Sequence, residues 1–384
     1  MALLHRMSGE CIKSELDLFT VPLTQTVIEK SSYLEVPPSS AISNSSPLEF
    51  FIAGNGDDYV DLNNMLLYLR LKITKPNSED LPADAKVGLI NYPGATIFSQ
   101  VDVSLGDRLI SQSSSTYPYR CIIESLINYS KDALESLFSA GLFYKDTAGH
   151  MVATDPGGRN QGLAKRAAYT ANSRVVELLA PIHSDIFFQE KFMMNNVDID
   201  VAKYPIDRVC LKNFSIPAGS RVSNQENLFL GTLPKSIVLA MVDNDAFTGA
   251  YNKNPFAFKH YNLEFLAVYV DGQQFPAKPL QPNFESRAAV REFYQLAMAS
   301  GRHLKNQALS IDRDDFLNGY TLYAFNLTPD EECGQHISLI KSGNIRLEAR
   351  FRQPLPQTIN LLVYAVFDSI IELSNRRQVL VDYY

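Results

Sequence analysis

The segment NIRLEARF (Asn344 to Phe351) alternates strictly: Ile345, Leu347, Ala349 and Phe351 fall on one side of an extended chain, and Arg346, Glu348, Arg350 and Arg352 on the other. Strand side chains point to opposite faces at every step, so this pattern suits a half-buried β-strand and not a helix, which would spread the charges around its circumference. Shortly after it, INLLVYAVF (Ile359 to Phe367) is apolar throughout, as in a strand covered on both faces. SIVLAMV (Ser236 to Val242) and GYTLYAFNL (Gly319 to Leu327) predict two more strands. In FKHYNLEFLAVYVDGQQFPAKPLQPNF, the run Leu263 to Val270 ends at Asp271-Gly272, which supplies the two positive-φ positions of a type I′ hairpin turn. With no βαβ alternation, the pattern predicts an antiparallel sandwich rather than a nucleotide-binding parallel sheet.

The chain also echoes itself. VDVSLGDRLIS (Val101 to Ser111) is similar to AVYVDGQQFPA (Ala267 to Ala277): a β-rich run, a glycine turn, then a short second strand. Helical spacing follows each, at Ile122, Leu126 and, after a break, Leu134 and Leu137 in one case and at Val290, Phe293, Leu296 and Ala297 in the other. Each helix is expected to stop at a glycine, Gly141 in SAG and Gly301 in ASG. Strands are also expected over Leu48 to Ala53, Asp61 to Ile73 and Phe98 to Leu105, with a Pro- and Asp-rich loop from Thr74 to Ala85. The reading is a mainly β chain of two consecutive jelly-roll β-sandwiches, each with a short helix. Residues 1–46 form an arm, 47–201 the first jelly roll and 202–384 the second. The first copy ends poorly: Pro329 is followed by two strong strands, whereas Pro181 is followed only by IHSDIFFQEKFMMNNVDIDV. It is short of strands near residues 190–201.

Composition narrows the partners. A formal charge of −7 with 20% charged residues gives no global basic field for nucleic acid or anionic membrane. Cys11, Cys121, Cys210 and Cys333 are scattered, with no CxxC pair, which fits a reducing compartment. MALLHRMSGECIKSELDLF lacks the apolar run of a signal peptide, and no segment reaches the length of a membrane span. The expectation is a host cytoplasmic or nuclear protein that is not secreted.

Chemistry is sparse. His5, His150, His183, His260, His303 and His336 are dispersed. The HSD triplet His183 to Asp185 could orient a histidine beside a carboxylate, as a hydrolase would, but reads more simply as a strand-end pair. DPGGRNQGLAKR (Asp155 to Arg166) imitates a phosphate loop without its GK[S/T] ending, and reads as a mobile surface loop whose Arg159, Lys165 and Arg166 are solvated. Asp57, Asp58 and Asp61, Asp312 to Asp315, and Asp243 with Asp245 lack calcium-loop spacing and read as turns or strand ends. No catalytic, metal-binding or cofactor-binding residue is predicted.

Longer stretches carry a resemblance. AKYPIDRV (Ala202 to Val209), FSIPAGSR, ENLFLGTLPKSIVLAMVDNDAFTGAY, NPFAFKHYNLEFLAVYVDGQQFPAKPL, NGYTLYAFNLTPD and VFDSIIELSNRRQVLVDYY closely resemble the double jelly-roll major capsid proteins of Polintons (Mavericks) and adintoviruses, and CIKSELDLFTVPLTQTVIE and FFIAGNGDDYVDL match their beginning. The resemblance covers nearly the whole chain. It implies a virion protein without enzymatic activity: homotrimers that form pseudo-hexameric capsomers of an icosahedral shell, with a penton-type minor capsid protein and other virion proteins as partners. The family carries several more strands between the segment like HSDIFFQEKF and the segment like AKYPI, which here are joined by little more than MMNNVDID. The competing expectations are a decayed, non-assembling copy, a ligand- or carbohydrate-binding β-sandwich, and a hydrolase centred on His183.

Overall fold

The computed structural model describes residues 16–18, 21, 24–42, 46–54, 58–194, 201–303, 307–328, 337, 341–374 and 378–381. The chain divides into two compact units, Met1–Asn55 and Gly56–Tyr384. In the first unit the described residues form no β-strand, so the strand expected over Leu48 to Ala53 is not there. Phe50, Phe51 and Ile52 are exposed. An apolar run becomes a strand only when a neighbour takes up its backbone groups, and this unit offers none among its described residues.

In the second unit the elements run, in order, β1 (Leu66–Leu71), α1 (Pro93–Thr96), β2 (Ser104–Leu105), β3 (Arg108–Leu109), α2 (Tyr117–Asn128), α3 (Lys131–Glu135), α4 (Gln161–Thr170) and β4 (Val176–Pro181). They continue with β5 (Val201–Ile216), β6 (Val222–Gln225), β7 (Leu230–Thr232), β8 (Ser236–Asp243), α5 (Asn244–Phe247), β9 (Leu263–Val270), β10 (Gln273–Leu280), α6 (Val290–Ala299), α7 (Arg313–Leu317), β11 (Leu322–Asn326), β12 (Ser342–Phe351), β13 (Ile359–Ser374) and β14 (Val379–Val381). All the ladders between these strands are antiparallel.

Strand β13 organises one sheet. One of its edges pairs with β5 along all 16 residues; the other pairs with β8 over Ile359 to Val366 and with β14 over Ile371 to Leu373, and β11 completes the sheet on β8. The second sheet runs β10-β9-β12-β6, with β7 on the far end of β12. Counting β5, β6, β8, β9, β10, β11, β12 and β13 as first to eighth, the sheets read first-eighth-third-sixth and second-seventh-fourth-fifth. That is the strand order of a jelly roll. Ile345, Leu347, Ala349 and Phe351 all face the core as the alternation predicts, and Ile359 to Ala365 are buried on both faces. The β9–β10 turn has positive φ at Asp271 (50°) and Gly272 (80°), as its sequence requires.

The first half repeats part of this order. β4 pairs with β1 as β11 pairs with β8, and β2–β3 is a hairpin in the place of β9–β10. Counterparts of the seventh and eighth strands do not occur between β4 and β5 among the described residues. The expected strand over Phe98 to Leu105 shrinks to Ser104–Leu105, because the Val103 carbonyl accepts from the Ile110 and Ser111 amides and closes the hairpin early. Gly301 ends α6 with a φ of 65°, as expected, but Gly141 does not play the same part. There Leu142 takes the left-handed conformation (φ 57°), and Gly141 lacks a side chain because a Cβ would stand 2.7 Å from the Tyr92 ring. On α6 the buried positions are Glu292, Leu296 and Ala299, while Val290, expected inside, is 47% exposed.

Candidate functional site

The HSD segment lies at the centre of a buried ionic network. Strand β4 ends at Pro181, and the turn that follows carries His183, Ser184 and Asp185 inward; all three are buried. Helix α2 supplies the other half. Arg120 and Glu124 stand one turn apart on a helix otherwise buried through Cys121, Ile122, Ile123 and Leu126, so both charges enter the same face. Arg120 donates from Nε to Glu124 Oε1 (2.8 Å) and from Nη2 to Asp185 Oδ1 (2.6 Å). Glu124 Oε2 lies 2.8 Å from His183 Nδ1, and Tyr364 of β13 donates its hydroxyl to Glu124 Oε1 at 3.2 Å. The histidine partner is thus Glu124, across the fold, and not its sequence neighbour Asp185.

Burial pushes the Glu124 carboxyl up, but Arg120 and His183 outweigh it and hold the group below its ordinary range. At Asp185 burial prevails over the pull of Arg120, and its carboxyl is raised. With Glu124 ionised, His183 Nδ1 is the donor to it. The Tyr92 hydroxyl lies 3.3 Å from Nε2 on the other side of the ring.

The chain Tyr92, His183, Glu124 has the connectivity of a hydroxyl, a base and an orienting acid, but not its working conditions. Tyr92 is fully buried and burial raises its hydroxyl far above the phenol range, so it does not yield a phenolate. The cavity beside His183, lined also by Ser111, Gln112, Thr116 and Arg120 among others, measures about 20 Å³, room for about one water molecule. A substrate does not fit there.

What the network does instead is close a sheet edge. Among the described residues β5 pairs with β13 alone, so one edge of a 16-residue strand faces the first half of the chain. Asp185 Oδ1 accepts the Val209 amide (3.2 Å) and Gln112 Oε1 accepts the Leu211 amide (3.1 Å). Two residues further from Asp207 on the same outward set stands Pro205, which has no amide to satisfy. Side chains and a proline thus occupy an edge that a strand would otherwise seek.

A second network ties the halves together and corrects the reading of Asp155 to Arg166. Residues from Gln161 on are helix α4, capped by the Asn160 side chain. Arg166 is 2% exposed: Nη2 donates to Asp146 Oδ1 at 2.6 Å and Nε to the Leu89 carbonyl at 2.8 Å. Asp146 also accepts from Asn160 and Asn254, and Tyr320 donates to its carbonyl at 2.8 Å. Lys145 pairs with Asp315, which closes the capping box of α7 with Asp312. In the loop itself Asp155 accepts from the Gly157 amide and pairs with Lys86, so a carboxylate occupies the place where an anion would be held. Lys165 is exposed, 5.5 Å from the Tyr144 ring, and Arg159 is exposed.

The acidic groups are also dispersed by the fold. Asp57 lies outside the described residues, and Asp61 accepts from the Asn63 amide and the Asn64 side chain in a turn. Asp243 is more than a turn residue: it is buried at the end of β8 and accepts from Lys259 (2.6 Å), Tyr261 (2.5 Å) and Gln357. Burial raises its carboxyl, but Lys259 and Tyr261 outweigh that and hold it low. Among the described residues no group of three or more His, Cys, Asp or Glu could hold a metal ion. His5, His336, Cys11 and Cys333 lie outside them.

His260 stacks on Phe284, with ring centroids 4.0 Å apart and planes 7° apart, and accepts the Asn262 amide at Nδ1. Burial lowers its pKa to about 4. In the unfolded chain it takes a proton near 6.5, so its contribution to stability is complete above that pH and is lost as the pH falls from 6.5 toward 4. The expected loss is about 2 kcal/mol. Urea midpoints measured near neutrality and at about pH 4.5 should show it, and His260→Phe should reduce the difference.

The sequence reading did not single out Arg120, Glu124, Asp146 or Gln112. A signal for the first two was present, since two opposite charges one turn apart in an apolar helix imply a paired, buried face. Nothing local marks Asp146 or Gln112, whose partners are distant in the chain.

No protein-family model matches the chain. An uncharacterized protein of Caenorhabditis elegans is 26% identical over an alignment of 418 residues that covers 94% of this chain and 99% of the relative. Among solved structures, a chain of the Sputnik virophage, determined by cryo-EM, has a TM-score of 0.56 at 13% identity, covering 98% of this chain and 93% of that one. PBCV-1 VP54, fitted into a reconstruction of Sputnik, gives 0.55 at 10% identity, and a chain of the PBCV-1 virus capsid gives 0.53 at 12%; each match covers 94% of this chain and 99% of the other. The likeness runs through almost the whole length, and with the strand order above it gives the fold: a mainly β double jelly roll, as in these viral chains, with fewer strands described in the first roll than in the second.

Proposed function

We propose that this chain is a major capsid protein subunit of viral or integrated-element origin, of the Polinton and adintovirus kind, acting as a structural unit and not as an enzyme. The observation that carries the reading is the end-to-end likeness of its tandem jelly rolls to virophage and viral capsid chains. The His183 network supports it from the other side, since its polar groups are spent on pairing and on closing β5. In this reading the partners are two further copies in a trimeric, pseudo-hexameric capsomer, a penton-type minor capsid protein and other virion proteins, and the place of action is the virion. The domains are the arm 1–46 and jelly rolls 47–201 and 202–384, and the arm is an intersubunit element.

The test is the mass and the image of the purified full-length protein. Light scattering should give three times the 43.0 kDa chain mass, and electron microscopy should show pseudo-hexagonal particles. Deleting residues 1–40 should weaken trimers and shells; unaffected assembly would remove the arm's proposed role. A monomer that binds glycans on an array would favour the carbohydrate-binding alternative.

A second reading, a decayed copy that no longer assembles, rests on the first half. No counterparts of β12 and β13 follow β4 before Val201 among the described residues, and the alignment with the nematode relative is longer than the chain itself. A stable monomer at every concentration would favour it.

A further inference from the structure

The small cavity beside His183 lies where the two halves meet, with Gln112, Thr116, Arg120 and Ser184 on one side and Val209 and Leu211 of β5 on the other. Much of its polar lining is already engaged. Ser111 Oγ accepts the Val103 amide (2.8 Å), Thr116 Oγ1 pairs with Ser114 Oγ (2.7 Å), and Gln112 Oε1 accepts the Leu211 amide. Two buried groups are not. Arg120 spends Nε on Glu124 and Nη2 on Asp185, and its Nη1 meets no hydrogen-bond acceptor among the described residues, although the side chain is only 10% exposed. Ser184 is 3% exposed and immediately precedes the short helical turn Asp185–Phe188, yet its hydroxyl does not cap that turn. A serine in that position ordinarily gives its oxygen to the turn; here the hydroxyl is left for the cavity.

β5 contributes acceptors. The Val209 and Leu211 amides point away from β13, to Asp185 and Gln112. In an antiparallel ladder a residue that turns its amide away from the partner strand turns its carbonyl away with it. Both carbonyls are therefore on the cavity side of β5, and no described residue donates to either.

We propose that this cavity is a binding site for one ordered water molecule, which accepts from Arg120 Nη1 and donates to Ser184 Oγ and to the carbonyl of Val209 or Leu211. Three hydrogen bonds are what a buried water ordinarily makes, and about 20 Å³ admits one such molecule. A small anion is disfavoured in the same place, because Arg120 already stands between the carboxylates of Glu124 and Asp185 and has no charge left to offer. The water extends the closure of β5: side chains take two of its edge amides, the water takes an edge carbonyl, and the edge offers that much less to an incoming strand. The site belongs to the joint between the halves and is independent of the assembly reading above.

The test is a crystal structure of the full-length chain that resolves ordered water, with a second crystal soaked in bromide. The expected result is a single peak within hydrogen-bonding distance of both Arg120 Nη1 and Ser184 Oγ, without anomalous signal from bromide. An empty cavity overturns the proposal; so does a bromide peak, which would make this an anion site. Ser184→Val removes the hydroxyl and fills the space, and the peak should be lost. In solution, magnetic relaxation dispersion of water oxygen should count one long-lived internal water fewer in Ser184→Val than in the wild type, and an equal count would overturn the assignment. Should Ser184→Val fail to fold, the two wild-type crystals decide by themselves.

Discussion

Replacing Asp185 with Ala is expected to cost about 3 kcal/mol of folding stability, because it strips the buried Arg120 guanidinium of one of its two carboxylate partners, leaving Glu124 as the other. Arg120 sits with its side chain 10% exposed between Glu124 and Asp185. The same substitution removes the acceptor of the Val209 amide on the β5 edge. Asp185→Asn separates the two effects: it keeps an oxygen for the amide but loses the charge, and should fall between Ala and the wild type. Urea unfolding monitored by circular dichroism measures both. A midpoint for Asp185→Ala within error of the wild type would show that the network contributes nothing, and would reopen a catalytic reading of His183.

Asp146→Ala should have an effect of similar size, about 3–5 kcal/mol, for a related reason. Its side chain is the counter-charge of the fully enclosed Arg166 and also binds Asn160 and Asn254. Asn254 belongs to the second half and Arg166 to the first, so the loss should appear as unfolding of both halves together. A two-step transition, with the second jelly roll surviving, would instead mean that the halves are held by other contacts. The continuity of the buried core, from Tyr92 and Ile122 through Leu239 and Leu362, argues for one cooperative step.

Much of the second half was legible because its signals are local. Alternation in Asn344 to Phe351, the apolar run Ile359 to Phe367 and the Asp271-Gly272 turn each depend on residues within one element, and each predicts the element observed. The failures share a cause. Leu48 to Ala53 has strand composition but no ladder, and Val290 has core spacing but no cover. Arg166 reads as a solvated charge, yet is enclosed because α4 turns it toward Asp146. Asp243 reads as a turn residue, yet receives donors from Lys259, Tyr261 and Gln357. Periodicity tells which side of an element differs from the other; it does not tell what lies against it.

The echo at Gly106 and Gly272, the strand patterns and the absence of a reacting motif are properties of the chain in one dimension, and they alone determined a repeated antiparallel β architecture without a legible active site. Only the tertiary structure decided that His183 faces Glu124 and that Asp185 and Gln112 seal the edge of β5. Those outcomes depend on pairs of residues far apart in the chain, brought together by burying a shared core, and no window along the sequence contains both members of such a pair.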